Sequence, residues 1–232
     1  MRVTTSPPPI LRRLLAELLG TGLLVSVVVG SGIAASRLSP ADTGLQLLEN
    51  SIATALGLAV LILVLAPVSS HFNPVVTLVG LVLERRPAVE AAAYVAVQFA
   101  GGVLGALLAN AMFGLPPAIA TTERVSAGSL LGEVVATAVL VLVIFSLQRT
   151  GRAAVIGPAV GAYIGAAYWF TSSTSFANPA VTLGRVFSDT FAGIAPTSVL
   201  PFLAAQLAGA AVGAALLLVL FPAPRTMLKG TP

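Results

Sequence analysis

The chain has 232 residues, 57% of them hydrophobic and 9% charged, with a mean hydropathy of +1.00. Soluble globular chains carry about a quarter charged residues, so lipid must cover most of this surface. The absence of cysteine and the presence of one histidine, His71, exclude disulfides, thiolate chemistry and His- or Cys-rich metal sites. The net charge of +4 sits in connecting segments and is not a nucleic-acid footprint.

The first apolar run, residues 10–36, follows a polar, Pro-rich stretch without a cleavage site and reads as a retained membrane helix. Runs at 50–70, 89–113, 128–147, 153–171 and 199–221 follow. Each of the six is near the ~20 residues that cross a hydrocarbon core. Two shorter apolar runs, 74–83 and 179–187, are about ten residues long, hence about 15 Å as helix and half a bilayer. With six spans, the N-terminus, the second and fourth connections and the C-terminus share a side. That side holds Arg2, Arg12, Arg13, Arg85, Arg86, Arg149, Arg152, Arg225 and Lys229; the other holds Arg37, Arg124 and Arg185. The positive-inside rule then places both termini in the cytoplasm of a multi-pass plasma-membrane protein.

The chain repeats itself. Glu17-Leu-Leu-Gly-Thr21, Asn73-Pro74-Val75 and a Gln98 segment recur in order as Glu133-Val-Val-Ala-Thr137, Asn178-Pro179-Ala180 and a Gln206 segment, at offsets of 116, 105 and 108 residues. A repeat of about 10–113 and one of about 128–222 form a single domain over 1–232. Each repeat holds three spans, an odd number, so the second enters the membrane from the opposite face. Such inverted repeats place their site near the midplane, between the halves.

In each box Asn caps and Pro occupies the first helical position, so each opens one of the short helices. The two helices then enter from opposite faces and meet tip to tip. Non-helical backbone at that depth requires protein or a water-filled cavity around it. Two positive helix ends face one central point, where Asn73 and Asn178 offer amide donors to a passing oxygen and cations are repelled.

The double box inside this repeat resembles the aquaporin and aquaglyceroporin (major intrinsic protein) family over nearly the whole chain. The resemblance implies an all-α membrane fold of six transmembrane helices and two re-entrant half-helices, facilitative transport of small neutral solutes, a homotetramer and no cofactor. It assigns the pore constriction to Asn73, Pro74, Val75, Asn178, Pro179 and Ala180. Two departures stand out. The first box carries Val75 where the family has Ala. Val181 follows the second box, where members passing water or glycerol usually carry a selectivity-filter Arg. By family pattern the remaining filter positions are Leu56, Gly165 or Ala166, and Ser175. Together they imply a filter wider and less polar than a water-only one. Arg185 lies one turn beyond Val181 on the same helix face and is expected to line the outer vestibule or to snorkel to headgroups.

Intramembrane carboxylates are functional candidates by default. Glu17 and Glu133 are expected to accept hydrogen bonds from the re-entrant loops, with a proton relay as the competing reading. Gln98 and Gln206 are given similar work, and His71 a loop-fixing bond or a pH gate. Tyr163, Tyr168 and Trp169 read as interface anchors or pore-lining groups. The spacings Gly101-x3-Gly105 and Gly209-x3-Gly213 permit close helix packing. The leading function is a passive channel for water, glycerol-like polyols and uncharged metalloid hydroxides such as arsenous acid. A secondary active transporter built on the same repeat is the alternative, and no catalytic cluster supports an enzyme.

Overall fold

The structure is a computed structural model that describes residues 8–222. Arg2, Arg225 and Lys229 of the charge argument lie outside the described residues. Within them the chain is all helix: α1 (Ile10–Leu38), α2 (Thr43–Leu65), α3 (Pro74–Leu83), α4 (Ala88–Met112), α5 (Ala127–Arg149), α6 (Ile156–Phe170), α7 (Pro179–Gly184) and α8 (Pro196–Leu220). A 3₁₀ turn, Ala153–Val155, leads into α6, and another, Arg185–Phe187, extends α7. Six helices are long and apolar enough to cross a membrane, and α3 is a short apolar one. The chain is a multi-pass membrane protein with the expected fold.

Two boundaries differ from the hydropathy reading. Helix α2 starts seven residues before the expected Asn50, because Asp42 caps it by accepting from the Leu45 N–H at 2.9 Å. Gln46 and Glu49 dilute the hydropathy of that first stretch. Both reach back to Ser39, Gln46 donating to its carbonyl at 2.8 Å and Glu49 accepting from its hydroxyl at 2.7 Å. Helix α7 is α-helical for only six residues, and its last turn tightens to 3₁₀. With its 3₁₀ turn it reaches about 15 Å, as far as the ten residues of α3.

Packing follows the repeat. Helix α1 packs on α4 as α5 packs on α8, and α2 against α6 joins the halves. The α1–α4 approach leaves no room for a side chain at Gly101, where a Cβ would stand 2.5 Å from the Leu18 carbonyl oxygen. At the matching place in the α5–α8 pair, a Cβ on Gly209 would stand 2.5 Å from the Val134 oxygen. Association of helices in lipid relies on such close backbone approach. Helices α3 and α7 fill the remaining space, each touching long helices of both halves.

Candidate functional site

The two half-helix tips meet and are bonded to one another. Asn73 Oδ1 accepts from the Val75 N–H at 2.9 Å, and Asn178 Oδ1 from Ala180 at 2.9 Å and Val181 at 3.3 Å. Each amide nitrogen then crosses to the other loop: Asn73 Nδ2 donates to the Ala177 carbonyl and Asn178 Nδ2 to that of Phe72, both at 2.8 Å. An amide nitrogen carries two hydrogens. One is committed to the opposite loop, and the second remains for the lumen.

The residues before the boxes take a left-handed backbone, Phe72 at φ 49° and Ala177 at φ 48°, which is uncommon without glycine. The membrane carboxylates hold this conformation. Glu17 accepts from the backbone N–H of His71 at 2.9 Å and of Phe72 at 2.7 Å, from Ser69 Oγ at 2.5 Å and from Gln98 Nε2 at 2.8 Å. Glu133 accepts from the N–H of Phe176 and of Ala177, both at 2.8 Å, and from Gln206 Nε2 at 2.6 Å. Both carboxylates are fully buried, and neither is among the groups lining the cavity. The glutamines continue each network, Gln98 to Thr77 Oγ1 and Gln206 to Thr182 Oγ1, both at 2.9 Å. Both carboxylates are thus taken up by the backbone of the re-entrant loops and stand away from the cavity.

A cavity of about 170 Å³ runs alongside the joined tips. Asn73 and Asn178 line it on one side; Leu24, Leu58, Leu140 and Val160 face them from the long helices. The polar wall is therefore narrow and set against an apolar one. One end carries Thr54, Ile164, Tyr168, Ser175, Val181 and Arg185; the other carries Glu84, Arg86 and Gln148. Ser175 sits at φ 52°, and its Oγ is buried without a hydrogen-bond partner among the described residues. Arg185 is 4% exposed, with its guanidinium carbon 3.5 Å from the Phe176 ring centroid and its Nε donating to the Ala192 carbonyl. It lines the cavity and does not snorkel. Arg124 flanks the same ring at 5.5 Å and is tied to the Gly193 and Phe191 carbonyls at 2.6 and 2.9 Å.

Three expected filter residues are corrected. Leu56 is 64% exposed and lines an outward apolar groove with Leu23, Val27 and Val60. Two helical steps rotate a side chain by about 200°, so Thr54 and Leu58 face the cavity when Leu56 faces away. For the same reason Ala166 is exposed, while Ile164 and Tyr168, two residues to either side, line the cavity. Gly165 belongs to the α2–α6 contact, where a Cβ would meet the Ala55 Cβ at 2.9 Å. The missed groups Thr54, Leu58 and Ile62 recur every fourth residue, as do Val160, Ile164 and Tyr168, and that stripe was readable as one helix face. Across the end that carries Val181 and Arg185 the Tyr168 hydroxyl donates to Thr54 Oγ1 at 3.2 Å. Tyr163 is spent on the Ala136 carbonyl at 2.9 Å, and Trp169 is exposed with its indole N–H on Ser51 at 3.1 Å.

Comparison with known proteins agrees with this architecture. The profile of the major intrinsic protein family matches residues 4–173. The chain is 47% identical over 222 residues to the aquaglyceroporin AqpS of Rhizobium meliloti (strain 1021), covering 95% of this chain and 94% of that protein. It is 32% identical over 199 residues to the aquaporin NIP2-1 of Oryza sativa subsp. japonica, covering 81% of this chain and 65% of that protein. Among solved structures, the aquaglyceroporin from Plasmodium falciparum shares the fold with a TM-score of 0.71 at 22% identity, over 90% of this chain and 96% of that one. By its double Asn-Pro box, its cross-bonded half-helices and these likenesses, the chain belongs to the major intrinsic protein family.

Proposed function

We propose that this chain is a passive channel in which the cavity alongside the boxes is the solute path, and that it passes neutral solutes larger than water. The observation that carries the reading is the outer end of the cavity. Val181 lines it without charge or donors, beside Ser175 and the Thr54–Tyr168 pair, and the guanidinium of Arg185 stands a turn further out. An Arg at 181 would add a fixed fork of donors and its bulk to that wall. Its replacement favours glycerol-like polyols and uncharged metalloid hydroxides over water alone. The name of the Rhizobium relative, an aquaglyceroporin, supports glycerol as a test solute.

Solutes then move past one polar and one apolar wall. Asn73 and Asn178 each present an N–H to the passing oxygen, and a carbon skeleton rides on Leu24, Leu58, Leu140 and Val160. Arg185 gathers oxygen-rich solutes at the outer vestibule. Both repeats act as one channel unit. The subunit works in a homotetramer in the plasma membrane, as the family resemblance implies, and the charge placement favours cytoplasmic termini. No catalytic step belongs to this reading. Transport coupled to a proton gradient through Glu17 or Glu133 would need that carboxylate in the path, and both are consumed by the loops.

Stopped-flow light scattering on proteoliposomes tests the proposal. Wild type is expected to shrink quickly under an impermeant osmolyte and then to re-swell in glycerol and in arsenous acid. Val181→Arg is expected to slow glycerol re-swelling about tenfold, as if one neutral contact were replaced by a steric and desolvation barrier of about 1.4 kcal/mol. Fast water flux without solute entry in wild type would overturn the wide filter.

A further inference from the structure

His71, the chain's one histidine, lines the cavity beside the first box. Its Cε1 lies 3.7 Å from where a Cβ on Gly80 would stand, so the ring runs along α3, away from the tips and toward the end that carries Glu84 and Arg86. Tyr94 holds it edge-on with ring centroids 5.5 Å apart. One ring nitrogen, Nδ1, lies 3.0 Å from Thr77 Oγ1.

The direction of that bond follows from the groups behind it. Glu17 is a carboxylate and accepts, so the Gln98 side chain must turn its nitrogen toward it, at 2.8 Å. The same nitrogen lies 2.9 Å from Thr77 Oγ1, which therefore accepts. The Thr77 hydroxyl has one proton left to give, and His71 Nδ1 is the acceptor in reach. In the second repeat the matching Thr182 accepts from Gln206 at 2.9 Å and gives its proton to the Asn178 carbonyl at 2.8 Å, with Phe176 at the place of His71. The two repeats thus differ in where one hydroxyl proton goes, and the difference is the imidazole.

We infer that the Glu17–Gln98–Thr77 chain holds His71 in the tautomer that is bare at Nδ1 and protonated at Nε2, and that this N–H is a specificity-determining donor on the pore wall beyond the boxes. The inference rests on the cavity being the solute path. Nε2 has no hydrogen-bond partner among the described residues and belongs to a side chain that lines the cavity. With Asn73 and Asn178 it makes a third donor for an oxygen leaving the midplane. The same tautomer keeps the ring from relaying protons. Its lumenal nitrogen already bears a hydrogen, and its lone pair is turned into the wall against Thr77. Thr77, Gln98 and Glu17 are positioning residues for this donor.

A single histidine permits a direct test. Protein carrying 15N-histidine and no polyhistidine tag is reconstituted in lipid at about pH 8, above the ordinary imidazole value of about 6.5. Its nitrogen shifts are then read by solid-state NMR. The wild type is expected to show bare Nδ1 and protonated Nε2. Thr77→Val is expected to populate the opposite tautomer, and Thr77→Ser to restore the first. A protonated Nδ1 in the wild type overturns the inference. In vesicles, His71→Leu is expected to slow glycerol entry about fivefold, the effect of one lost neutral hydrogen bond. His71→Gln, which keeps an acceptor for Thr77 and a donor for the lumen, is expected to recover most of that loss. Equal losses in both variants, at equal amounts of folded protein, would reduce His71 to a loop support and overturn the donor role. Vesicles in which wild type carries no solute would sink the channel reading instead, while the NMR result still decides the tautomer.

Discussion

Glu133 illustrates how one side chain holds a pore in shape. Its two oxygens accept from two consecutive backbone N–H groups and from Gln206, in a place that offers no water. Glu133→Ala strands three buried donors, each costing about 1–3 kcal/mol when unpaired. The variant is expected to lose roughly 3 kcal/mol or more of stability and much of its folded yield. Glu133→Gln, which keeps one accepting oxygen, is expected to fall between it and wild type. Thermal unfolding in detergent measures the order, and an unchanged midpoint for Glu133→Ala would refute the supporting role. The residue types of this network were legible in the sequence, because a carboxylate in an apolar run must be doing something. Their partners were not, since Glu133 and Phe176 are separated by 43 residues along the chain.

At the scale of elements, the box helices depend on the close packing of α1 on α4 and of α5 on α8. Gly209 stands one turn from Gln206 at the α5–α8 crossing, and a Cβ there would also lie 2.9 Å from the Thr137 Cβ. Gly209→Ala is expected to push α8 outward and to destabilise by about 1–3 kcal/mol, the usual cost of overpacking. The outward shift also draws Gln206 away from Glu133 and lowers flux per folded channel. Leu216→Ala, on the exposed face of α8, is the control expected to leave both near wild type. The small-residue spacing was readable without a structure. Which face of α2 and α6 turns inward was not: the family pattern points to Leu56 and to Gly165 or Ala166, and the packed helices turn their neighbours to the cavity. The every-fourth-residue stripe of Thr54, Leu58 and Ile62 is the surer guide, because it depends only on helix pitch.

For the whole molecule, the inverted repeat decides which charges cross. On the proposed reading, a water beside the joined tips accepts from Asn73 and Asn178 and so donates both of its own protons outward, toward opposite ends of the file. Such a water cannot pass a proton along, and two positive half-helix ends oppose a cation at the same point. Proton exclusion is therefore expected to survive the absence of an Arg at position 181. Vesicles holding a pH-sensitive dye, given an inward proton gradient, are expected to acidify no faster than empty ones; a fast leak would place the proton barrier at the filter instead of at the boxes.

Composition and repetition alone determined that this chain lives in lipid, spans it six times and dips into it twice, because a bilayer imposes length and polarity on every segment separately. The Asn-Pro boxes announced the pore for the same reason, each being a local helix start with a local chemistry. The tertiary structure decided everything that depends on rotation about a helix axis or on contact between distant segments. It set Thr54, Ile164 and Tyr168 on the lumen in place of their neighbours, buried Arg185 on Phe176, and turned both membrane carboxylates into loop supports. An angle of about 100° per residue separates a pore wall from a lipid face, and only the packed helices settle which of the two a side chain meets.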